Sequence, residues 1–260
     1  MSETSRLAHL GRLGIRMNDL ELLQVLANAA DEISLSRYRA LDLKVETKPD
    51  KTPVTDADRA VESKLRELIK LYRPNDTVIG EEYENTGESE RTWIIDPIDG
   101  TANYLRGVPI WATLIGLRID GEILTSVVSA PALGRRWWAS GGKGAFTRDI
   151  DGSVRQLKVS GISKLEDATL SFNSLEQWRD AGMLDQLLAL SERVHRSRAY
   201  GDFLSYMFLA EGAIEIASEH DLKVYDIAAL VPIIREAGGE ITDLLGPLTE
   251  ETSSLVATND

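Results

Sequence analysis

An α/β fold of stacked sheets and helices is the class this 260-residue chain predicts, on three observations. Helical and strand-like hydrophobic periods alternate along its length. The run from Thr92 to Thr101, TWIIDPIDGT, compresses a buried strand, a turn and a helix start into one short segment. Apolar stretches between 111 and 139 are short and separated by turn residues, as antiparallel strands are.

The elements follow in order. Asp19–Leu41 carries Leu20, Leu22, Leu23, Val25, Leu26 and Ala29 on one helical face, and Asp56–Tyr72 repeats the pattern with Val61, Leu65, Leu68 and Ile69. Thr77–Gly80 and Thr92–Ile95 are short strands. Trp111–Leu117, Ile123–Ala130 and Arg136–Ala139 form an antiparallel set, with Asp120-Gly121 as the first turn. Trp137 and Trp138 must then face opposite sides of one strand, where core packing is their expected role. The polar stretch Asp149–Arg155 marks a boundary, dividing the chain into an N-terminal α+β half, 1–150, and a C-terminal α/β half, 151–260. Beyond it, strands near Leu170 and Ile214 alternate with helices at Asp180–Arg193, Asp202–Glu211 and Asp226–Ala237. Gly238-Gly239 stops the last helix, and Pro232 inside it removes one hydrogen bond to Ala228. There is no internal repeat.

Composition narrows the function. A hydrophobic share of 43% with 27% charged residues describes an ordinary globular chain. The formal charge of −13 argues against a nucleic-acid partner, which calls for a basic stripe. It fits a solvated acidic surface and a site that collects divalent cations. With no cysteine, zinc thiolates, disulfides and thiol nucleophiles are excluded. No apolar run approaches a membrane span. Met1–Arg16 lacks the apolar core of a secretory signal, so a cytoplasmic location is expected.

The chemistry concentrates in the Thr92–Thr101 run. Trp93-Ile94-Ile95 ends in two carboxylates, Asp96 and Asp99. Pro97 cannot donate to a sheet ladder, so the strand should stop there with both acids at its mouth. Gly100 permits a tight turn, and Thr101 is suited to cap a helix beginning at Ala102. Hard anionic ligands facing a helix N-terminus suit Mg²⁺ and phosphate together, which points to metal-assisted chemistry at phosphorus. Glu81 and Asp226 also follow a strand or open a helix, so they can converge on the same sheet edge. From the residues alone, Asp226 is equally a helix cap and Glu81-Glu82 a solvated loop pair.

The full string resembles the signature of the inositol monophosphatase-like family of Mg²⁺-dependent phosphatases. Val54-Thr55-Asp56-Ala57-Asp58-Arg59-Ala60-Val61-Glu62 is similar to that family's Thr-x-x-Asp-x-x-x-Glu element, and Ile79-Gly80-Glu81-Glu82 to its Gly-Glu-Glu element. Gly142–Phe146 resembles its hairpin, and Tyr225–Ala229 with Glu236–Gly239 its C-terminal ligand helix. The resemblance spans nearly the whole chain. It implies an αβαβα sandwich, a homodimer, and two or three Mg²⁺ ions. Glu81, Asp96 and the Ile98 carbonyl would hold one ion; Asp96, Asp99 and Asp226 a second; a third would share Glu81, with Glu82 orienting the others. Phosphate would rest on the Gly100 and Thr101 N–H groups, beside Asp99 and Asp226. Thr101, paired with Asp58, would orient the attacking water.

The same resemblance speaks to the leaving group of the small-molecule phosphate ester. Glu219 stands where the family often reads substrate. Asp202, after Tyr200-Gly201 and with Tyr206 behind it, resembles the Gly-Asp-x-x-x-Tyr pattern of the branch acting on histidinol phosphate. Acids there would pair with an ammonium or imidazolium. A second helix cap is the plain alternative for Asp202. Inositol-1-phosphate, or a broader range of sugar phosphates, is the alternative substrate. A metal-binding protein without turnover is the alternative class, against which the intact ligand set argues. His9, His195 and His220 show no metal-ligand spacing and are expected at the surface or in packing.

Overall fold

The computed structural model describes residues 17–48 and 52–259; the Met1–Arg16 segment, with His9, lies outside them. Helix α1 (Asp19–Arg37) starts at Asn18, whose side chain accepts from the Glu21 N–H while Glu21 reaches back to the Asn18 N–H. A hairpin of β1 (Val45–Thr47) and β2 (Pro53–Thr55) leads into α2 (Asp56–Tyr72), opened by a second capping box between Thr55 and Asp58. Next come β3 (Thr77–Gly80), β4 (Arg91–Asp99), the short α3 (Thr101–Leu105), β5 (Ala112–Ile119), β6 (Glu122–Ala130), β7 (Arg135–Ser140), β8 (Ala145–Arg148) and β9 (Val154–Gln156). Strands β3 to β9 form one sheet in sequence order, with only β3–β4 parallel.

The second sheet is built from β10 (Thr169–Phe172), β11 (Arg196–Arg198), β12 (Ile216–His220), β13 (Glu240–Thr242) and β14 (Ser254–Thr258), in the order β11-β10-β12-β14-β13. Its helices are α4 (Leu175–Asp180), α5 (Leu184–Ser191), α6 (Asp202–Ala210), α7 (Val224–Ala228) and α8 (Leu230–Glu236). Three buried clusters define the layers. Leu22, Leu26, Val61 and Leu65 of α1 and α2 pack on Trp93, Ile95 and Ile115 of the first sheet. On that sheet's other face, Val128 and Trp137 meet Phe203, Met207, Ile233 and Ile234, which in turn cover Ala217 and Leu255 of the second sheet. Leu170, Trp178 and Leu187 close the far side under α4 and α5. The result is the αβαβα sandwich.

Several local expectations hold. Asp120 and Gly121 both have positive φ, 51° and 86°, as the two-residue turn requires. Trp137 joins the middle cluster while Trp138 packs on the α1–α2 side. Other elements differ for identifiable reasons. Strand β4 does not stop at Pro97 but continues to Asp99, because the register shifts between Asp96 and Asp99 and that bulge spares the missing donor. Helix α3 begins at Thr101, with Gly100 rather than Thr101 as its cap. The helix expected over Asp180–Arg193 is shortened to α5, Leu184–Ser191; Asp180 instead ends α4, a helix not expected, and Gly182 with φ of 71° separates the two. That over Asp226–Ala237 divides at Ala229, whose carbonyl accepts from Ser126 Oγ at 2.7 Å. Asp149–Arg155 belongs to the β8–β9 hairpin, and Asp149 pairs there with Arg135 and Arg155.

Candidate active site

The bulge in β4 sets the geometry. It turns the Asp96 and Asp99 carboxylates toward the start of α7, and with Asp226 they form a group whose ligand oxygens all lie within 4.8 Å of one another. Asp96 is 2% exposed and its Oδ1 accepts the Ile98 N–H at 3.0 Å. Helix α7 begins at Val224 with Lys223 as its N-cap residue, and Asp226, the third helical residue, reaches back to accept the Lys223 N–H at 2.6 Å. The cap and the cluster therefore use the same carboxylate and do not compete as explanations. Burial raises all three acids, and neighbouring carboxylates add to it at Asp96 (Glu81, Asp99, Asp226) and Asp99 (Asp202, Asp226), whereas hydrogen bonds from Lys223 and with Asp96 hold Asp226 back. Asp96 and Asp99 rise well above the carboxylate range and Asp226 to about 6.

Glu81 lies within electrostatic reach of Asp96 and Asp226 and is pushed up to about 7, by burial first. Its Oε1 is 2.6 Å from Lys48 Nζ, which also stands 2.7 Å from Glu82 Oε1. Glu81 and Glu82 are thus a half-buried pair shared by one lysine, not a solvated loop. Burial opposes the charge on Lys48, but the two carboxylates hold it protonated above its ordinary range.

Asp58 is fully buried, not on the helix surface. Its Oδ2 accepts the Thr55 N–H at 2.9 Å, while its Oδ1 lies 3.2 Å from Thr101 Oγ1. The Thr101 hydroxyl is also 3.0 Å from the Ile98 carbonyl oxygen. Burial raises the Asp58 carboxyl above its usual range. Gly100, with φ of 81°, is needed twice: the conformation excludes most side chains, and a Cβ would stand 2.9 Å from the Ile110 carbonyl oxygen.

Asp202 and Glu219 sit beyond this edge, on the second sheet and its helix. Asp202 does not cap α6; it occupies φ of 49° and its Oδ2 accepts from Asn103 Nδ2 at 2.8 Å. A strained non-glycine backbone of this kind persists only where its surroundings hold it. The next N–H, of Phe203, donates to Asp99 Oδ2 at 2.9 Å, so α6 and the carboxylate cluster share a residue. Glu219, 6% exposed in β12, accepts from the Asn173 side-chain amide, with Gln177 alongside. Burial and then Asp202 and Asp226 push Glu219 to about 8; burial pushes Asp202 to about 6. Tyr206 is enclosed against Glu219, Asp99 and Asp226, and its hydroxyl pKa is driven up by burial and by those charges. His220 packs edge-on against Trp178, with centroids 4.5 Å apart, and His195 is exposed.

Four residues escaped the motifs as holders of site acids: Lys48, Asn103, Asn173 and Gln177. Asn173 carries the signal that marked Asp96, a polar side chain just past an apolar strand. Lys48 has no such signal.

Comparison with known proteins decides the family. The profile described as Inositol monophosphatase family matches residues 19–260. The chain belongs to the inositol monophosphatase family. Among curated proteins, the chain is 52% identical over 244 residues to "Histidinol-phosphatase" of Mycobacterium tuberculosis, covering 93% of this chain and 94% of the relative. It is 48% identical to the "Histidinol-phosphatase" of Streptomyces coelicolor, covering 94% and 93%. Among solved structures, the extragenic suppressor protein suhB from Bartonella henselae superposes with a TM-score of 0.84 at 29% identity, over 92% of this chain and 93% of that one. Among the described residues no helix is long and apolar enough to cross a membrane.

Proposed function

We propose that the protein is a Mg²⁺-dependent phosphomonoesterase that hydrolyses L-histidinol phosphate to L-histidinol and phosphate. The observation that carries the substrate is a pair of acids, half-buried Asp202 and buried Glu219. Each is held by a neutral carboxamide rather than by a cation. A buried carboxylate without a counter-charge is costly. A leaving group bearing an ammonium and an imidazole supplies that charge, whereas neutral inositol does not. The names of the relatives at 52% and 48% identity support the same reading.

The donor set fits divalent cations: carboxylate oxygens only, converging, and raised in pKa by burial and then by neighbouring carboxylates. Asp96, Asp99 and Asp226 would hold one ion; Glu81 with Asp96 and the Ile98 carbonyl would hold another, and Glu81 a share of a third. When bound, such ions supply positive charge that polarises a phosphate oxygen and lowers the pKa of water. The Gly100 and Thr101 N–H groups receive the phosphate, since the first helical N–H groups have no intrahelical acceptor. Thr101 Oγ1 orients the attacking water and passes its proton toward Asp58 Oδ1, whose raised pKa suits it to accept. Asp202 and Glu219 hold the leaving alcohol by its cationic groups. The halves 1–150 and 151–260 divide this work, the first supplying most cation ligands and the second the leaving-group acids and Asp226. The setting is a cytoplasmic homodimer.

Phosphate release measured with and without Mg²⁺, on histidinol phosphate and on inositol-1-phosphate, tests the reading. Mg²⁺-dependent release with histidinol phosphate preferred is the expected result. Preference for inositol-1-phosphate overturns the substrate, and release unaffected by chelation overturns the cation.

A further inference from the structure

Glu62 is fully enclosed in the middle of α2, yet it is charged in type and turned toward a loop, not toward solvent. Its Oε2 accepts the Glu82 N–H at 2.7 Å, and its Oε1 accepts from Arg66 Nε at 2.8 Å. Arg66 continues outward, donating to the Tyr83 carbonyl at 3.2 Å and lying 3.4 Å from the Thr86 hydroxyl. Gly80 is pressed against the same carboxylate: a Cβ there would stand 2.0 Å from Glu62 Oε1. Val78 and Thr86 close the loop with reciprocal backbone hydrogen bonds of 2.8 and 3.0 Å. One buried carboxylate and its arginine thus fasten residues 80–86, the turn that presents Glu81 and Glu82.

An ion pair with its carboxylate buried and its arginine half-buried is a poor way to gain stability, because apolar residues of similar volume do as well or better. Such a pair makes sense where it fixes a backbone. The absence of a side chain at Gly80 has the same explanation, since any β-carbon would force the carboxylate off the turn. We propose that Glu62, supported by Arg66, is a positioning residue that sets the Gly80–Glu82 turn so that Glu81 faces the cation site. This rests on the reading of Glu81 as a cation ligand. Glu62 itself touches neither substrate nor cation.

The test measures Mg²⁺ binding by calorimetry, with no substrate present, on wild type and on E62Q, R66Q, G80A, E81Q and E67Q. Glutamine at 62 has one acceptor oxygen where glutamate has two, so it cannot serve both Glu82 and Arg66. E62Q should weaken Mg²⁺ by roughly 10–100-fold, the usual cost of losing a partner behind a ligand. The Mg²⁺ needed for half-maximal phosphate release should rise in parallel, while kcat at saturating Mg²⁺ stays within about threefold of wild type. G80A should do the same from the opposite side of the contact. E67Q, on the same helix but pairing only with Lys64 at the surface, should bind Mg²⁺ as wild type does. Wild-type affinity in E81Q overturns the cation reading itself. Weakened binding in E81Q with wild-type binding in E62Q, R66Q and G80A overturns the positioning role alone, as does a lowered Tm with unchanged affinity. Should E62Q not fold, R66Q and G80A decide the matter by the same criterion.

Discussion

Two clusters of buried and half-buried acids lie side by side in this molecule and are held in opposite ways. At the mouth of β4, Asp96, Asp99 and Asp226 face one another, with Lys223 acting on Asp226 and Lys48 engaged by the neighbouring Glu81 and Glu82. Across Phe203, Asp202 and Glu219 face amides: Asn103 on one, Asn173 and Gln177 on the other. The first arrangement gathers negative charge tightly enough to require a multivalent partner. The second spaces two acids and fixes each by neutral donors, leaving the counter-charge to whatever enters. In the proposed function, the converging acids serve the chemistry at phosphorus and the separated acids the choice of leaving group. The two meet at Phe203, whose N–H binds Asp99 next to Asp202.

Substitutions should separate the clusters. Asp96→Asn should have the largest effect, because the residue is assigned to two cation positions. Losing several kcal/mol of charge stabilisation lowers turnover on the order of 10³-fold. The fold should survive, since removing one acid relieves repulsion, and metal-free Tm should hold or rise. Near-normal turnover of this variant at ordinary Mg²⁺ contradicts the assignment. Thr101→Ala and Asp58→Asn come next, each expected to cost roughly 10²–10⁴-fold in kcat while leaving Mg²⁺ affinity nearly intact. The double variant should be far from multiplicative, as for groups that act as a unit. Single-turnover rates with Mg²⁺ calorimetry check both points, and strictly multiplicative losses would show two independent roles.

The amide-held pair should respond differently. Asp202→Asn and Glu219→Gln should each lower kcat/KM for histidinol phosphate by roughly ten- to a hundred-fold, the worth of a charge-assisted hydrogen bond. A neutral phosphate ester of similar size should lose much less. Equal losses on both esters would mean that the acids shape the pocket without reading charge.

The smallest effect concerns pH. Folded-state values of about 6 for Asp226 and Asp202, 7 for Glu81 and 8 for Glu219 exceed the roughly 4 of an unfolded carboxylate. Between those limits the folded chain binds more protons than the unfolded one. Stability from these groups is therefore full below about pH 4 and is lost as pH rises through 6 to 8. Metal-free Tm should fall across that window. Mg²⁺ should remove the share due to Asp226 and Glu81 but not the step near pH 8, which Glu219→Gln should abolish. A metal-free Tm that is flat from pH 5 to 8 would refute this account of the buried acids.

What the sequence by itself determined is what short spacing encodes. Asp96 to Thr101 lie together in the chain, so an apolar run, a proline, a glycine and two acids sufficed to locate the edge at which the acids converge. Thr55 and Asp58, three residues apart, make their capping box by helix geometry alone. The alternation of helical and strand periods likewise carried the layered class. Pro97 shows the limit even at short range: its missing donor argued for a strand end, and pairing with β5 made a bulge instead. Tertiary structure alone decided the partners of the acids. Lys48 meets Glu81 across 33 positions, Asn173 meets Glu219 across 46, and Asn103 meets Asp202 across 99. Such contacts leave no period and no motif, because a polar side chain inside a fold satisfies itself with whichever donor the packing of distant layers brings within 3 Å.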